Sequence, residues 1–364
     1  MKKIVTVVGA RPQFIKAAPV RKALRGVVHE VLVHTGQHHD PGLSDVFFEQ
    51  LHLGRPDHHL GVGSGPHGRQ TGRMLEALEE VLEQERPEAV LVYGDTNSTL
   101  AGALAAAKMR IPVVHVEAGV RSFNFGMPEE QNRVLVDRLS DLLLVPTLSA
   151  LEQLEQEGVP GRITWIGDVM LDALLGVQPG LDPAGAWAGR GTKRRIVVTL
   201  HRAENVDDPV RLLALLEAVE ALARGGWVVI WPVHPRARVR AEAAGMAARL
   251  AHLTCPPLDY FAMLSAVAGA DVVVTDSGGL QKEAAYLEVP CVTLRTETEW
   301  PETLVLGLNR LVSPDPEATL AERLLAVLES LPSSQDLPWE RFAVAAGSGK
   351  ASERLVQALG ELWA

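Results

Sequence analysis

The sequence predicts an α/β protein built as two Rossmann-like doubly wound domains facing across a cleft, and three observations carry that expectation. Short apolar runs alternate with longer amphipathic stretches, the pattern of βα units around parallel sheets. The alternation runs twice, broken between Gly176 and Gly191 by a segment rich in Gly and Pro that reads as a loop or linker. With 364 residues the chain is also long for one core. Two domains of about 150 to 200 residues are the expectation for that length.

In order along the chain, the start Met1-Lys2-Lys3-Ile4-Val5-Thr6-Val7-Val8-Gly9 has an apolar run of only a few residues. It enters Arg11-Pro12 and reads as a first strand, 3–8, not as a targeting segment. Further strands are predicted at 29–34, 88–93, 112–116, 141–145 and 163–166, with helices at 12–25, 68–85, 97–109, 129–139 and 148–157. The second series has strands at 195–200, 227–233, 271–275 and 290–294, and helices at 208–224, 236–248, 259–268, 278–286 and 316–330. A final helix spans about residues 350–363 by the same periodicity. The expected domains are therefore 1–168 and 169–349, with 350–364 as a closing helix.

Hydrophobic residues make up 47% of the chain, enough to fill both cores, and the net charge is -10. That charge argues against nucleic acid as a partner, which needs many Lys and Arg on one face. Any anionic ligand must be held locally by a few arginines and helix starts. No segment approaches the roughly 20 apolar residues that cross a bilayer, so no membrane insertion and a cytoplasmic location are expected. Cys255 and Cys291 are the only cysteines, which does not suggest a disulfide framework.

Between Val90 and Arg133 lie three acidic stations: Gly94-Asp95-Thr96, His115-Val116-Glu117-Ala118-Gly119 and Pro128-Glu129-Glu130. Asp95 and Glu117 stand where apolar strands stop, the edge of an α/β sheet at which ligands bind. Clustered acids divide general acid and general base work, because crowding pushes their pKa values apart. The plainer alternative is that Asp95 and Glu117 cap the helices that follow.

At the first strand end, Gly9-Ala10-Arg11-Pro12 leads into a helix whose open amides, with Arg11 and Lys16, form a candidate phosphate receptor. In the second half, Asp276-Ser277-Gly278-Gly279 takes a strand straight into a helix. Ser277 and the amides of Gly278 and Gly279 offer donors to a diphosphate, and Glu283 offers an acceptor to a ribose. A tight turn with no ligand is the alternative for that segment. His201-Arg202 and His234-Pro235-Arg236 follow two other strands, so the set forms a candidate anion site on one sheet edge. Gly63-Ser64-Gly65-Pro66-His67-Gly68 lacks the strand and open turn of a dinucleotide fingerprint. Gly347-Ser348-Gly349-Lys350 lacks the first glycine of a phosphate-binding loop, since position 344 is Val. His38-His39 and His58-His59 have no ligand spacing, so no metal site is expected.

Taken together, Gly9-Ala10-Arg11-Pro12, Thr35-Gly36-Gln37-His38, Gly94-Asp95-Thr96, His115–Gly119, Pro128-Glu129-Glu130 with Asn132-Arg133, Gly167-Asp168, His201-Arg202, Val233-His234-Pro235 and Asp276–Gly279 resemble the non-hydrolysing bacterial UDP-N-acetylglucosamine 2-epimerases. The resemblance implies a GT-B type fold with the last helix packed back on the first domain, no metal or other cofactor, and a homodimer. It implies inversion at carbon 2 to give UDP-N-acetylmannosamine, by elimination of UDP to a 2-acetamidoglucal and its re-addition. Asp95, Glu117 and Glu129 match the family's catalytic acids, and His201 is expected beside the diphosphate. Arg11, Lys16, Arg133, Arg202, His234, Ser277, Gly278, Gly279 and Glu283 are the expected UDP-sugar contacts. Some members bind a second UDP-N-acetylglucosamine as activator, and Gln37, Arg69 and His234 lie in comparable segments. Trp300 replaces an Arg found before Pro-Glu in many members. Thr35–Asp40 and Ser122-Phe123-Asn124 are closer to a branch that includes epimerases of diacetamido uronic acid sugars. A GT-B glycosyltransferase is the alternative from another enzyme class; it would share the nucleotide clamp without needing three acids.

Overall fold

The computed structural model describes residues 1–37, 48, 50–191, 193–315 and 319–363. His38, His39 and Asp40 of the Thr35–Asp40 motif lie outside the described residues. The chain forms two compact units, one of Met1–Gly176 and Ala343–Ala364, the other of Val177–Phe342. Residues 169–176 and 343–349 thus cluster with the first unit.

The first unit is built on a parallel sheet of seven strands in the order β3-β2-β1-β4-β5-β6-β7. These are β1 (Lys3–Val8), β2 (His29–His34), β3 (His58–His59), β4 (Ala89–Tyr93), β5 (Val113–Val116), β6 (Leu142–Val145) and β7 (Arg162–Trp165). Strands β4 and β6 are apolar along their whole length because helices cover both faces, as a doubly wound sheet requires. Val5, Val7, Val90 and Val92 pack with Met74 and Leu78 of the helix His67–Glu85 and with Ala101 and Ala105 of the helix Asn97–Lys108. Strand order reverses between β1 and β4, whose register pairs Val7 with Val92. Ligands in open α/β sheets bind outside the carboxyl ends of strands at such a point. The helix Ala351–Leu362 packs on the helix Arg11–Leu24, and its first amides, of Ala351 and Ser352, donate to the Asp172 carboxylate at 3.1 and 2.7 Å.

The second unit has a five-stranded parallel sheet ordered β12-β11-β10-β8-β9. Its strands are β8 (Arg195–Thr199), β9 (Val228–Ile230), β10 (Val272–Thr275), β11 (Cys291–Thr293) and β12 (Asn309–Leu311). The reversal here falls between β10 and β8, whose register pairs Thr275 with Thr199. The segment read as linker is partly structured: Gln178–Gly180 forms a 3₁₀ turn and Pro183–Ala186 a short helix. Trp187 explains that order, since it is buried against Gly269 and its indole N–H donates to the Ala266 carbonyl at 2.9 Å. Two short strands, β3 and β12, went unpredicted because His58-His59 and Asn309-Arg310-Leu311 carry no apolar run. Among the described residues no helix is long and apolar enough to cross a membrane.

Candidate active site

At the switch point of the first unit, β4 ends at Tyr93 and the chain turns through Gly94, whose φ of +62° suits glycine. A Cβ there would stand 3.2 Å from Nζ of Lys16, so the turn leaves room for that ammonium. The next strand, β5, ends in Glu117, which holds a left-handed φ of +70° without being glycine. Such a backbone is uncommon and is typical of residues fixed by their surroundings at functional positions. Glu117 pairs with Lys16, both side chains nearly buried. Arg133 reaches Asp95 at 2.5 Å and Glu130 at 2.8 Å, while Asn132 donates to the Asp95 carbonyl at 2.8 Å. Lys16, Asp95, Glu117 and Arg133 are therefore gathered at two neighbouring strand ends.

Capping does not account for either acid. The helix Asn97–Lys108 is capped by Thr96, whose hydroxyl accepts from the Thr99 amide, and no helix begins until Pro128 after Glu117. Nor are the amides of the first βα turn open, as the sequence suggested. Gln13 Oε1 accepts from the amides of Gly9 (2.8 Å) and Ala10 (3.1 Å), the reach-back of a residue three places into a helix. That spacing was a signal available in the sequence. Arg11 is exposed and Lys16 is engaged with Glu117.

Glu129 and Glu130 have opposite surroundings. Glu129 is exposed in the first turn of the helix Pro128–Leu139. Glu130 is fully buried, and its carboxylate accepts from Ser122 N and Oγ and Phe123 N, each at 2.9 Å. Burial pushes the Glu130 carboxyl up, but those donors together with Arg133 outweigh it and hold it below the ordinary value. Behind β5, His115 and Arg121 both meet Asp137 at 2.7 Å, and Arg121 also pairs with Glu157. Burial likewise raises Asp137, and His115 and then Arg121 overcome that and lower it. Gln37 Oε1 accepts from Ser98 N (3.0 Å) and Oγ (2.6 Å), and Arg69 is exposed on the helix His67–Glu85.

In the second unit, the switch point centres on Asp276, a fully buried carboxylate absent from the residues assigned roles by sequence. It accepts from the amides of His201 and Arg202, from Asn205 at 3.0 Å and from His201 Nδ1 at 2.9 Å. Burial raises Asp276, and His201 leads the groups that bring it below the ordinary range. Arg202 donates from Nε to the Asp276 carbonyl at 2.9 Å and meets Glu299 at 3.3 Å. Glu299 is held in turn by the buried guanidinium of Arg295 at 2.7 and 3.0 Å. The rings of His201 and His234 lie 5.5 Å apart.

Ser277 caps the helix Gly278–Tyr286, leaving the amides of Gly278 and Gly279 at a positive helix end. A Cβ on Gly279 would meet nothing within 4 Å, so a ligand can approach the backbone closely. Glu283 is buried one turn further on, against the Tyr260 hydroxyl, which burial first and Glu283 second push well above its ordinary value. Trp300 carries the Lys282 ammonium 3.7 Å over its ring. His201, Arg202, His234, Ser277, Gly278 and Gly279 thus share the carboxyl edge of one sheet.

The family described as UDP-N-acetylglucosamine 2-epimerase matches residues 22–360. A Pseudomonas aeruginosa UDP-2,3-diacetamido-2,3-dideoxy-D-glucuronate 2-epimerase is 44% identical over 99% of this chain and 100% of its own. A Methanococcus maripaludis UDP-N-acetylglucosamine 2-epimerase is 42% identical over 88% of this chain and 90% of its own. The crystal structure of the Methanocaldococcus jannaschii UDP-GlcNAc 2-epimerase in complex with UDP-GlcNAc and UDP superposes with a TM-score of 0.89 at 38% identity, covering 99% of this chain and 100% of that one.

Proposed function

Because this chain belongs to the UDP-N-acetylglucosamine 2-epimerase family, we propose that its substrate is UDP-N-acetylglucosamine and its product UDP-N-acetylmannosamine. The chain is a UDP-sugar 2-epimerase of GT-B fold. The reaction proposed removes the proton on carbon 2 to a carboxylate while the bond from carbon 1 to the diphosphate oxygen breaks, giving UDP and a 2-acetamidoglucal. A proton then returns to carbon 2 from the opposite face, and the diphosphate oxygen adds back to carbon 1. Atoms and charge balance without an added reactant.

In this reading Asp95, Glu117 and Glu129 move the protons, while Lys16, Arg11 and Arg133 carry the negative charge that develops on the leaving diphosphate. His201, Arg202, His234, Ser277, Gly278 and Gly279 hold that diphosphate and Glu283 the ribose. The observation that carries the reading is the gathering of two carboxylates with two cations, Lys16 on Glu117 and Arg133 on Asp95, at adjacent strand ends. A homodimer is proposed as its working state, to be checked by light scattering.

A second reading differs in the sugar alone. The 44% identical relative acts, by its name, on a UDP-diacetamido-glucuronate, which supports that substrate class. Incubation of the protein with each nucleotide sugar in deuterated water, followed by NMR of the anomeric protons, decides between them. The expected result is the manno epimer of UDP-N-acetylglucosamine with deuterium at carbon 2. Epimer formation from the diacetamido uronate alone selects the second reading. No epimer from either, or epimer without deuterium, refutes the mechanism.

A further inference from the structure

We propose that His115 is a buried imidazolium that fixes the two turns carrying Asp95 and Glu117, making it a positioning residue for the reaction. Its ring is fully buried on β5. Nε2 lies 2.7 Å from the Gly94 carbonyl oxygen, which only accepts, so Nε2 carries a proton. Nδ1 lies 2.7 Å from Asp137 Oδ1. The second oxygen of Asp137 receives the Arg121 guanidinium at 2.7 Å and the Gly119 amide at 3.1 Å. A carboxylate facing a guanidinium and an amide is ionised, which leaves the proton on Nδ1. With both nitrogens donating, the ring is a cation.

The charge is balanced in place. Asp137 comes from the helix Pro128–Leu139, and behind it stand Arg121 and then Glu157. The flanking turns contribute the Lys16–Glu117 pair and Asp95 with Arg133 and Glu130. One side of the ring thus grips the carbonyl of Gly94, next to Asp95. The other grips the carboxylate that holds the Gly119 amide, two residues past Glu117. A neutral ring can grip only one of these as donor, so the relative placement of the two acids depends on the second proton.

The inference deepens the epimerase reading and rests on it for the effect on turnover. Histidine-selective ¹⁵N NMR on the full chain reads the ring independently of activity. At neutral pH a doubly protonated ring, lost in His115→Gln, is expected among the twelve histidines. A neutral His115 ring overturns the proposal. Should His115→Gln fail to fold, Asp137→Asn serves: the ring reverts to a single proton, and a ring still doubly protonated overturns it. In either variant kcat is expected to fall about a hundredfold while KM and UDP affinity change less than about threefold, as for misplaced reacting groups. Unchanged kcat, or a loss confined to KM, overturns the positioning role. A wild-type chain inactive on both sugars refutes the epimerase reading instead, and the NMR result still decides the charge of the ring.

Discussion

Two adjacent glutamates illustrate how little a residue's type says about its work. Glu130, buried under four donors, holds the loop 122–127 against its helix, whereas Glu129 faces solvent. Removing one partner from a buried ion pair costs about 3–5 kcal/mol, so Glu130→Ala is expected to lower stability by that amount in a denaturant titration. Glu129→Gln should leave stability within about 0.5 kcal/mol and abolish turnover if Glu129 carries a proton. The pH dependence of stability follows from Glu130, Asp137 and Asp276, all held below their ordinary values. A lowered carboxylate contributes stability above its unfolded value of about 4 and loses it as pH falls through the folded one. Thermal unfolding followed from neutral pH downward should therefore show a plateau and then a decline below about pH 5. Asp95 and Glu117 were legible in the sequence because each ends an apolar run. Asp137 was not, since its partners His115 and Arg121 meet it only once a helix has packed on a strand.

Among the elements, long βα units were readable and short ones were not. The helices Asn97–Lys108 and Gly278–Tyr286 fell where periodicity put them. β12, Asn309–Leu311, is polar at two of its three positions and so carries too little apolar pattern to be told from a loop. Turn chemistry was only half used: Pro12 and Gly9 marked the first turn, while the spacing that lets Gln13 take its amides was present in the sequence and went unread. That turn has no room to spare. A Cβ on Gly9 would stand 2.1 Å from Thr35 Oγ1 and Ser98 Oγ, which are themselves 2.8 Å apart. Gly9→Ala is expected to cost about 1–3 kcal/mol, the range for overpacking, read as a shifted unfolding midpoint. It should also disturb Gln37, whose side chain rests on Ser98.

At the scale of the molecule, the first unit is discontinuous in sequence, with the whole of Val177–Phe342 inserted before Ala343. Its last helix covers the helix Arg11–Leu24, which carries Lys16. A chain ending at Lys350 is expected to exchange amide hydrogens faster across residues 11–24, with peptides of the second unit unchanged, because Leu355 and Leu359 leave the core. Equal protection in both chains would show that helix to be dispensable. Synthesis adds a temporal consequence, since domains fold as units while the chain emerges. The unit of Val177–Phe342 is complete in the nascent chain before residues 343–364 exist. The carboxylate-bearing sheet must therefore wait, with the flank of its lysine helix uncovered, until the ribosome has delivered a segment encoded beyond an entire second fold. During that interval the uncovered face is open to chaperones or to wrong partners, and the unit that begins the chain is the later to mature.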